Sequence, residues 1–490
     1  MGVAVATPPV AFIAGVRIAR YMSTFVVIGG DAAGMSAASK AKRDTPDLDV
    51  VVFEKGAWVS YGACGLPYYI KGEIQTLEDL VSVTPEQFRE ERDIDLRTGH
   101  EVVDIDPDDR TVTARGDGEE LVQPYDSLLI ATGAAAVVPD IEGVDREGAY
   151  TLGSMTDGKE LREFVARARE EGPAEQPDSG PACQQLENCN GPVGVVGGGY
   201  IGIEMAEALA ANDFEVHLFQ RSDRVLKAFA PETSAAVADH LESQSVSLYL
   251  GSEVQALDGD DGVEAIVTGD GERVPVEMAL LGAGVRPRTD LAAAAGIELG
   301  PTGAIATDAY RETNIDDVYA AGDCAEAEHV VTGEPTYVPL ALTANRHGRA
   351  IGQTVAGTPT KGGGVAGTAA VKAFEMEAAR TGLSHDDAAA AGFEPVTETI
   401  EAKSRAGYYP GGGTVTVTLT ADSETGRLLG GTLHSEYGEG AVHRSHGLVG
   451  AVTEGVTLSE LSNYDFAYAP PFNTTWDPIL TAAKVLDGTL

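Results

Sequence analysis

Residues 24–34 read TFVVIGGDAAG, and this stretch decides the fold. The apolar run Thr24–Ile28 predicts a buried strand, and the glycine turn after it leads into a helix of small residues that runs to Lys42. A second strand at 50–53 ends at Glu54, about twenty residues beyond the turn. Strand, glycine turn, helix, strand and acid in this order are typical of one half of a dinucleotide-binding fold.

The same order occurs a second time further along the chain. A strand at 193–196 leads into the turn GGGYIG at 197–202, a helix through 211 and a strand at 215–219. Two units of this kind in one chain predict two bound dinucleotides.

The sequence pattern changes after Lys361. A Gly-rich link and a helical pattern are followed by alternating strand sequence at 415–419. This order predicts a separate domain with antiparallel character.

The segment between the two units, residues 170–192, has no periodicity and is rich in turn-forming residues, so it predicts a surface insertion. It contains Cys183 and Cys189. An inert solvated loop is favoured there over a redox pair or a metal site.

Length and composition limit the class of protein. A chain of 490 residues with 43% hydrophobic residues can hold about three domains. The net charge of −42 excludes nucleic acid and anionic membrane surfaces as partners. An acidic surface poor in Lys favours adaptation to a salt-loaded cytoplasm, with an ordinary acidic cytosolic enzyme as the alternative.

Localisation signals and cysteine usage indicate a cytoplasmic protein. The four cysteines are too few for a disulfide framework, which favours a reducing compartment. No segment reaches the roughly 18 apolar residues of a membrane span. Residues 1–21 make a poor signal peptide and are expected to be a disordered tail or to follow from an upstream start codon.

The first glycine turn predicts a dinucleotide-binding site. Gly29 and Gly34 hold the outer positions, where a tight turn lets the backbone approach a pyrophosphate at the positive end of the helix. The middle position is Asp31 instead of Gly, a departure from the pattern. Glu54 lies where a carboxylate can accept hydrogen bonds from ribose hydroxyls.

The second turn predicts a nicotinamide nucleotide. Gly197, Gly199 and Gly202 fit the full glycine pattern. The strand after it ends at Gln220 instead of an acid, which removes the carboxylate that would repel a 2′-phosphate. Arg221 and Arg224 follow, so the sequence favours NADPH or dual use over NADH, with solvated arginines as the alternative.

Cys64 lies in SYGACGLPYYI at 60–70, only a few residues after Glu54. If Glu54 binds FAD, Cys64 lies near the flavin, and nearby positive dipoles are expected to favour its thiolate. Val59 and Tyr69 stand where a second redox cysteine separated by four residues would be, so Cys64 has no internal partner.

These motifs resemble the pyridine nucleotide-disulfide oxidoreductase family, and SYGACGLPYYI resembles its single-cysteine branch, closest to CoA-disulfide reductase and NADH oxidase. The resemblance runs from Met22 over nearly the whole chain. It implies an α/β fold with two Rossmann-like dinucleotide-binding domains, the FAD domain being split by the NAD(P) domain, and an α+β C-terminal dimerisation domain. The boundaries it implies are 22–150 and 286–360 for FAD, 151–285 for NAD(P) and 361–490 for dimerisation.

The resemblance also implies roles for particular residues. Cofactor contacts are expected at Gly29, Gly30, Ala33, Gly34, Glu54, Lys55, Val102, Thr132, Gly133, Asp323 and Ala341 for FAD, and at Gly197, Gly199, Gly202, Gln220, Arg221, Arg224 and Gly284 for the nicotinamide nucleotide. Contacts with CoA are expected at Lys40, Arg43, Ser60 and Asn345. Tyr408 or Tyr409, together with Tyr468, is expected to reach Cys64 of the other subunit of a homodimer.

The resulting prediction is an FAD enzyme that oxidises NADPH or NADH and reduces CoA disulfide, or a related small disulfide, through Cys64. Oxygen is the main alternative acceptor, with Cys64 cycling as a sulfenic acid. A ferredoxin or quinone reductase in which Cys64 is incidental, and a flavin-bound sensor without turnover, are further alternatives. No metal is expected.

Overall fold

The computed structural model describes residues 23–171 and 190–490. The predictions about residues 1–21, Cys183 and Cys189, and about most of the 170–192 insertion, lie outside these ranges. No helix in the described ranges is long and apolar enough to cross a membrane.

The first layer is a parallel sheet built around the opening strand. In spatial order its strands are Val318–Ala320, Ser127–Ile130, Thr24–Ile28, Asp49–Glu54 and Asp95–Thr98. Outside the edge strand Asp95–Thr98 most of their side chains are buried, as expected for a sheet covered on both faces. Helices Ala32–Asp44 and Ala341–Val355 pack together on one face.

Smaller elements complete this part of the chain. An antiparallel sheet of Glu101–Asp106, Thr111–Gly116 and Glu119–Pro124 covers the other face. The short helical segments are Ala63–Gly65, Leu66–Lys71, Glu78–Leu80, Gln87–Glu91 and Asp290–Ala294. A short antiparallel strand pair is formed by Ala327–Glu328 and Pro335–Thr336.

The second layer repeats the first architecture. Its parallel strands are, in spatial order, Ser247–Leu250, Glu215–Gln220, Pro192–Val196, Met278–Leu281 and Ala149–Tyr150. The helices are Met155–Glu171, Tyr200–Ala210 and Pro231–Ser243, and an antiparallel sheet is formed by Val254–Asp258, Ala265–Thr268 and Arg273–Pro275. Ala134–Ala136 pairs with Val285–Pro287 where the chain enters and leaves this unit.

The third layer is an antiparallel sheet with helices on it. Its strands are, in spatial order, Ala369–Ala373, Met376–Gly382, Leu428–Ser435, Thr414–Asp422 and Pro395–Lys403. The helices are His385–Ala390, Ala441–Glu454, Leu458–Leu461 and Pro478–Asp487. The predicted antiparallel character is confirmed.

The order of elements at the start of this layer differs from the sequence prediction. A helical pattern was expected directly after the glycine-rich link, but two strands come first and the helix is confined to His385–Ala390. The strands are rich in Ala, which favours helix locally, and pairing within the sheet overrides that propensity.

Candidate active site

The first glycine turn has the shape of a dinucleotide cradle. Gly29 has φ +111°, and a Cβ on it would lie 2.1 Å from the carbonyl oxygen of Ala131. A Cβ on Gly34 would lie 1.9 Å from the carbonyl oxygen of Gly29. Glycine is therefore required at both positions, and the helix that begins at Ala32 points its free N–H groups at the turn.

The acid at the end of the second strand faces this turn. The Glu54 carboxylate accepts hydrogen bonds from the backbone N–H of Gly30 at 2.8 Å and of Gly56 at 2.7 Å. Each carboxylate oxygen keeps a further lone pair. The cradle and the carboxylate therefore fit the pyrophosphate and ribose of FAD.

Asp31, the departure from the glycine pattern, links the turn to the loop that carries Cys64. Its Oδ1 accepts the N–H of Tyr61 at 3.2 Å, and the carbonyl of Gly30 accepts the N–H of Ser60 at 3.0 Å. Burial raises the pKa of Asp31 to about 6, and the charge of Glu54 acts in the same direction. A glycine at position 31 could not make the bond to Tyr61.

The other predicted FAD positions lie at the ends of the first sheet or beside it. Burial raises the pKa of Asp323, just after the strand Val318–Ala320, to about 6. Thr132 and Gly133 follow the strand Ser127–Ile130, Ala33 lies in the first helix and Ala341 begins the helix at 341–355. Lys55 is exposed, and the side chain of Val102 is buried in the core.

The second glycine turn repeats the geometry of the first. Cβ atoms on Gly197 and Gly202 would lie 2.2 Å and 1.8 Å from the carbonyl oxygens of Gly282 and Gly197. Gln220 Oε1 accepts the N–H of Gly198 at 2.8 Å, just as Glu54 accepts that of Gly30 in the first turn. A neutral amide therefore fills the acidic position.

The cations after Gln220 differ in their surroundings. The Arg221 side chain is 83% exposed and 4.0 Å from the carboxylate of Glu253. Arg224 donates to the carbonyl of Lys227 at 3.4 Å, and its buried Nε has no hydrogen-bond partner in the described part of the chain. Gly199 and Gly284 have open space where a Cβ would be. The two arginines and the open space beside the glycines can therefore accommodate a negatively charged group.

Cys64 lies in the helical turn Ala63–Gly65, directly before the helix Leu66–Lys71. Its side chain is exposed in this chain. Among the described residues the other cysteine is Cys324, which is fully buried and donates to the carbonyl of Ile130 at 3.5 Å. The described ranges therefore offer Cys64 no disulfide partner.

The electrostatic surroundings of Cys64 reverse one expectation. Desolvation by the surrounding protein raises the pKa of the Cys64 thiol, and the carboxylates of Glu204 and Asp323 act in the same direction. A backbone hydrogen bond acts in the expected, opposite direction but is outweighed. The local backbone contribution therefore has the predicted direction, whereas the net pKa of the Cys64 thiol is raised.

Glu204 is a site residue that the sequence analysis missed. It lies on the helix Tyr200–Ala210, which follows the second glycine turn in the chain. Its carboxylate accepts a hydrogen bond from the hydroxyl of Tyr68 at 3.1 Å. Burial raises the pKa of Glu204 to about 7, and the charge of Glu207 adds to this. Nothing in the local sequence pattern marks it, since its closeness to Cys64 comes from the packing of two domains.

Removing the charge of Glu204 should make Cys64 more acidic. Above about pH 7 Glu204 is ionised, and its charge raises the pKa of the Cys64 thiol. In Glu204→Gln we expect the profile of alkylation rate against pH to move to lower pH, with several-fold faster alkylation of Cys64 above neutral pH. Iodoacetamide labelling followed by mass spectrometry measures it. Glu253→Gln, a change at an exposed carboxylate elsewhere in the second layer, serves as control, and an unmoved profile in Glu204→Gln contradicts the assignment.

The four residues expected to contact CoA meet in one cavity of about 310 Å³. Its lining consists of Met35, Ser36, Ser39, Lys40, Arg43, Ser60, Phe88, Arg92, Asn345 and Arg349. Ser36 donates to Asn345 at 2.6 Å, which links the two helices that supply most of this lining. Because Ser60 belongs to the lining and lies four residues before Cys64, the cavity adjoins the segment that leads to Cys64.

Two of the cavity cations were missed by the sequence analysis. Arg349 lies four residues after Asn345 on the same helix, so helical spacing could have revealed it. Arg92 comes from a separate segment, where it donates to Ser39 at 3.0 Å and lies over the ring of Phe88, and no motif marks it. Arg43 and Arg349 form no ion pair with any carboxylate in the described ranges, so they are available to an anionic ligand.

The tyrosines of the third, C-terminal layer form a pair at the surface. The hydroxyls of Tyr408 and Tyr468 are 3.0 Å apart, and these side chains are 76% and 46% exposed. Tyr409 lies beside them, 40% exposed. Tyr437, Phe472 and Trp476 are also exposed in this layer, and so many exposed aromatic side chains are typical of a protein interface.

Comparison with known proteins places these features in context. The pyridine nucleotide-disulphide oxidoreductase family matches residues 23–348, and the dimerisation domain of that family matches residues 368–478. The chain is 38% identical over 96% of its length to the NAD(P)H sulfur oxidoreductase (CoA-dependent) of Pyrococcus abyssi, of which it covers 99%. It is 28% identical over 92% of its length to the coenzyme A disulfide reductase of Staphylococcus haemolyticus, covering 96% of that protein.

The chain is also similar to solved structures of oxidoreductases. The NAD-dependent persulfide reductase of A. fulgidus superposes with a TM-score of 0.87 at 33% identity, over 95% of this chain and 83% of that one. A water-forming NADPH oxidase engineered from the NADH oxidase of Lactobacillus brevis superposes with a TM-score of 0.86 at 26% identity, over 95% and 98% of the two chains.

Proposed function

Because this chain belongs to the pyridine nucleotide-disulphide oxidoreductase family, we propose that it is an FAD-dependent NAD(P)H oxidoreductase that reduces CoA disulfide, or a related small disulfide, through Cys64. The observation that carries the proposal is the cationic cavity beside the cysteine loop, since Ser60 lines the cavity and lies four residues before Cys64. Arg43, Arg92 and Arg349 suit the phosphates of a nucleotide-containing thiol.

FAD, when bound, accepts a hydride from the nicotinamide and makes two electrons available to a disulfide. We assign its binding to the residues of the first turn and to Glu54, which faces that turn, and also to Asp323 after the strand Val318–Ala320. The second turn, with Gln220 and the two arginines after it, holds the nicotinamide nucleotide.

Cys64 supplies the covalent step. Its thiolate attacks one sulfur of CoA disulfide, the S–S bond breaks, one CoA thiolate leaves, and Cys64 is joined to the other CoA half as a mixed disulfide. Two electrons from NAD(P)H, with a proton, then release the second CoA thiol and restore the thiolate. One nucleotide is oxidised for each CoA disulfide, and two thiols are formed.

The thiols that leave need proton donors. Within the chain, the Glu204 carboxyl has a pKa of about 7 and can hold a proton at neutral pH. We assign the same task to Tyr408 and Tyr468 of the partner subunit in a homodimer. This assignment is supported by the exposure of the pair and by the dimerisation-domain match.

The acceptor can be tested directly. Without oxygen, NAD(P)H oxidation should require CoA disulfide and yield two CoA thiols for each nucleotide. A second candidate acceptor is sulfur or a persulfide, which the names of the Pyrococcus abyssi and A. fulgidus relatives favour. Uptake of oxygen that matches NAD(P)H oxidation and is unaffected by CoA disulfide would instead identify an oxidase.

We propose that the protein works in the cytoplasm of a salt-adapted cell. The net charge of −42 supports this proposal. The expected result is an increase in thermal stability on going from low to high KCl, measured by differential scanning fluorimetry, and stability that does not depend on salt would contradict it.

Gln220→Glu should turn the nucleotide preference towards NADH. A carboxylate there would repel the 2′-phosphate of NADPH and accept a hydrogen bond from the 2′-hydroxyl of NADH. We expect the ratio of kcat/KM for NADPH to that for NADH to fall by about 10-fold or more. In the engineered oxidase named above, the substitutions remove one Asp and introduce two Arg. A strong NADH preference in the unsubstituted protein would contradict this assignment.

A further inference from the structure

One buried carboxylate contacts all three layers of the molecule. The first layer is hereafter called the flavin layer, the second the nucleotide layer and the third the C-terminal layer. Glu207 lies on the helix Tyr200–Ala210 of the nucleotide layer, and its side chain is only 3% exposed. Its Oε1 accepts hydrogen bonds from Lys71 at 2.7 Å and from Lys372, and its Oε2 accepts the N–H of Phe374 at 2.7 Å. Lys71 belongs to the flavin layer, and Lys372 and Phe374 belong to the C-terminal layer.

The contact with Lys71 is made at the end of the helix that follows Cys64. Lys71 is the last residue of Leu66–Lys71, hereafter the Cys64 helix. The nucleotide layer also holds its terminal carbonyls: Arg162 donates to Ile70 at 2.8 Å, and the buried Asn212 donates to Lys71 at 3.3 Å. Glu207 is thus one of three residues of the nucleotide layer that hold the C-terminal end of the Cys64 helix in place.

The contacts with Lys372 and Phe374 connect the same carboxylate to the layer that carries Tyr408 and Tyr468. Lys372 lies on the strand Ala369–Ala373 at the edge of the C-terminal sheet, and Phe374 follows it. Two cations and one N–H converge on a single carboxylate, so its position depends on all three layers at once. A shift of the C-terminal layer would therefore move the carboxylate and, through Lys71, the Cys64 helix.

We propose that Glu207 is a positioning residue for the disulfide step. It fixes the Cys64 helix relative to the C-terminal layer, and it thereby determines the position of Cys64 relative to the CoA disulfide and to the tyrosines of that layer. This inference rests on the proposed function, since it assigns Glu207 to the step that uses Cys64. It assigns no role in the transfer of hydride from the nicotinamide nucleotide.

Glu207→Gln tests the proposal because it keeps the size of the side chain and removes its charge. The amide oxygen can still accept from the lysines, but the NH₂ group then faces the N–H of Phe374, where two donors meet. The two lysines also lose their common counter-charge. The C-terminal layer is thereby released from the Cys64 helix.

The decisive readout compares two acceptors in the FAD-loaded protein. Ferricyanide takes electrons from a bound flavin without using Cys64, whereas CoA disulfide requires it. In Glu207→Gln we expect CoA disulfide reduction to fall by about 10-fold or more while ferricyanide reduction stays within about twofold. Glu73→Gln, which removes the exposed second partner of Lys71, is the matched control and should change neither rate.

A merely structural role predicts a different outcome. If both rates fall together in Glu207→Gln, or if neither falls, the positioning role is overturned. Should Glu207→Gln fail to fold, Lys372→Met is measured with the same two acceptors. It removes one of the two contacts between Glu207 and the C-terminal layer, leaves the bond from the N–H of Phe374, and changes a side chain that is 42% exposed. We expect a smaller loss in the same direction.

Failure of the proposed function is distinguishable from failure of this inference. If the unsubstituted protein reduces ferricyanide but no CoA disulfide, the proposed acceptor is wrong, and alkylation of Cys64 by iodoacetamide decides about Glu207. At a pH well above 7, where Glu204 is already ionised with or without the charge of Glu207, release of the Cys64 helix should separate Cys64 from the Glu204 carboxylate and speed alkylation several-fold in Glu207→Gln. An alkylation rate equal to that of the unsubstituted protein would overturn the inference.

Discussion

Replacement of Cys64 by Ser will abolish CoA disulfide reduction, with a loss on the order of 10³-fold or more, because the attacking thiolate is gone and a hydroxyl cannot form the mixed disulfide. FAD should remain bound, since the residues assigned to the cradle lie in the first turn and at Glu54. Steady-state oxidation of NAD(P)H with CoA disulfide, without oxygen, measures the loss.

The same variant separates Cys64 from the rest of the electron path. Ferricyanide reduction should persist in Cys64→Ser, because it needs only the nucleotide and the flavin. Cys324→Ala is the control for removal of a thiol, since Cys324 is fully buried in the first layer. Unchanged CoA disulfide reduction in Cys64→Ser would show that the cysteine is incidental and would favour an electron-transfer reductase.

Removal of the cavity arginines will weaken binding of CoA disulfide. Arg43 and Arg349 line the cavity and form no ion pair within the described ranges, so each can bind a phosphate with charge-assisted hydrogen bonds. We expect Arg43→Ala and Arg349→Ala each to raise KM for CoA disulfide about 10-fold, and the double variant about 100-fold, with kcat little changed.

Two comparisons make this prediction specific to the cavity. A small aromatic disulfide without phosphates should be reduced equally well by all of these variants. Arg115→Ala, a change at an exposed arginine paired with Glu120 on the outer antiparallel sheet, controls for the loss of one surface cation. An equal effect on both disulfides, or no effect on CoA disulfide, would show that CoA does not bind in this cavity.

Local sequence was sufficient for much of the fold. The strand Thr24–Ile28 has the predicted bounds, and the helix after it ends at Asp44 rather than Lys42. Strand, glycine turn and helix are read from neighbouring residues, because close contacts such as that of Gly34 with Gly29 arise within a few residues. Both dinucleotide units could therefore be predicted without knowledge of the packing.

The rest of the candidate site depends on contacts between distant segments. Arg92 reaches the cavity from a separate segment, and Glu204 reaches the surroundings of Cys64 from another layer. The role of Asp31 also required the structure: in the sequence it is a departure from the glycine pattern, and its bond to Tyr61 becomes visible only when the loop is in place. Pairing across layers has no local sequence signal.

The net electrostatic effect on Cys64 could not be read from sequence for the same reason. The neighbouring residues in the chain are small and uncharged, which suggested that dipoles would dominate. The charges that raise its pKa come from Glu204 and Asp323, which are far from Cys64 in the chain. The sum of these contributions is a property of the folded molecule.

Mass spectrometry of the intact protein tests the central claim most directly. After incubation with CoA disulfide, we predict one added CoA for each chain, located on Cys64 by peptide mapping and removed by NADPH or by a small thiol. Cys64→Ser should gain no mass under the same conditions. A Cys64 that carries no CoA, or that is found as a sulfenic acid while the protein turns over, would contradict the account.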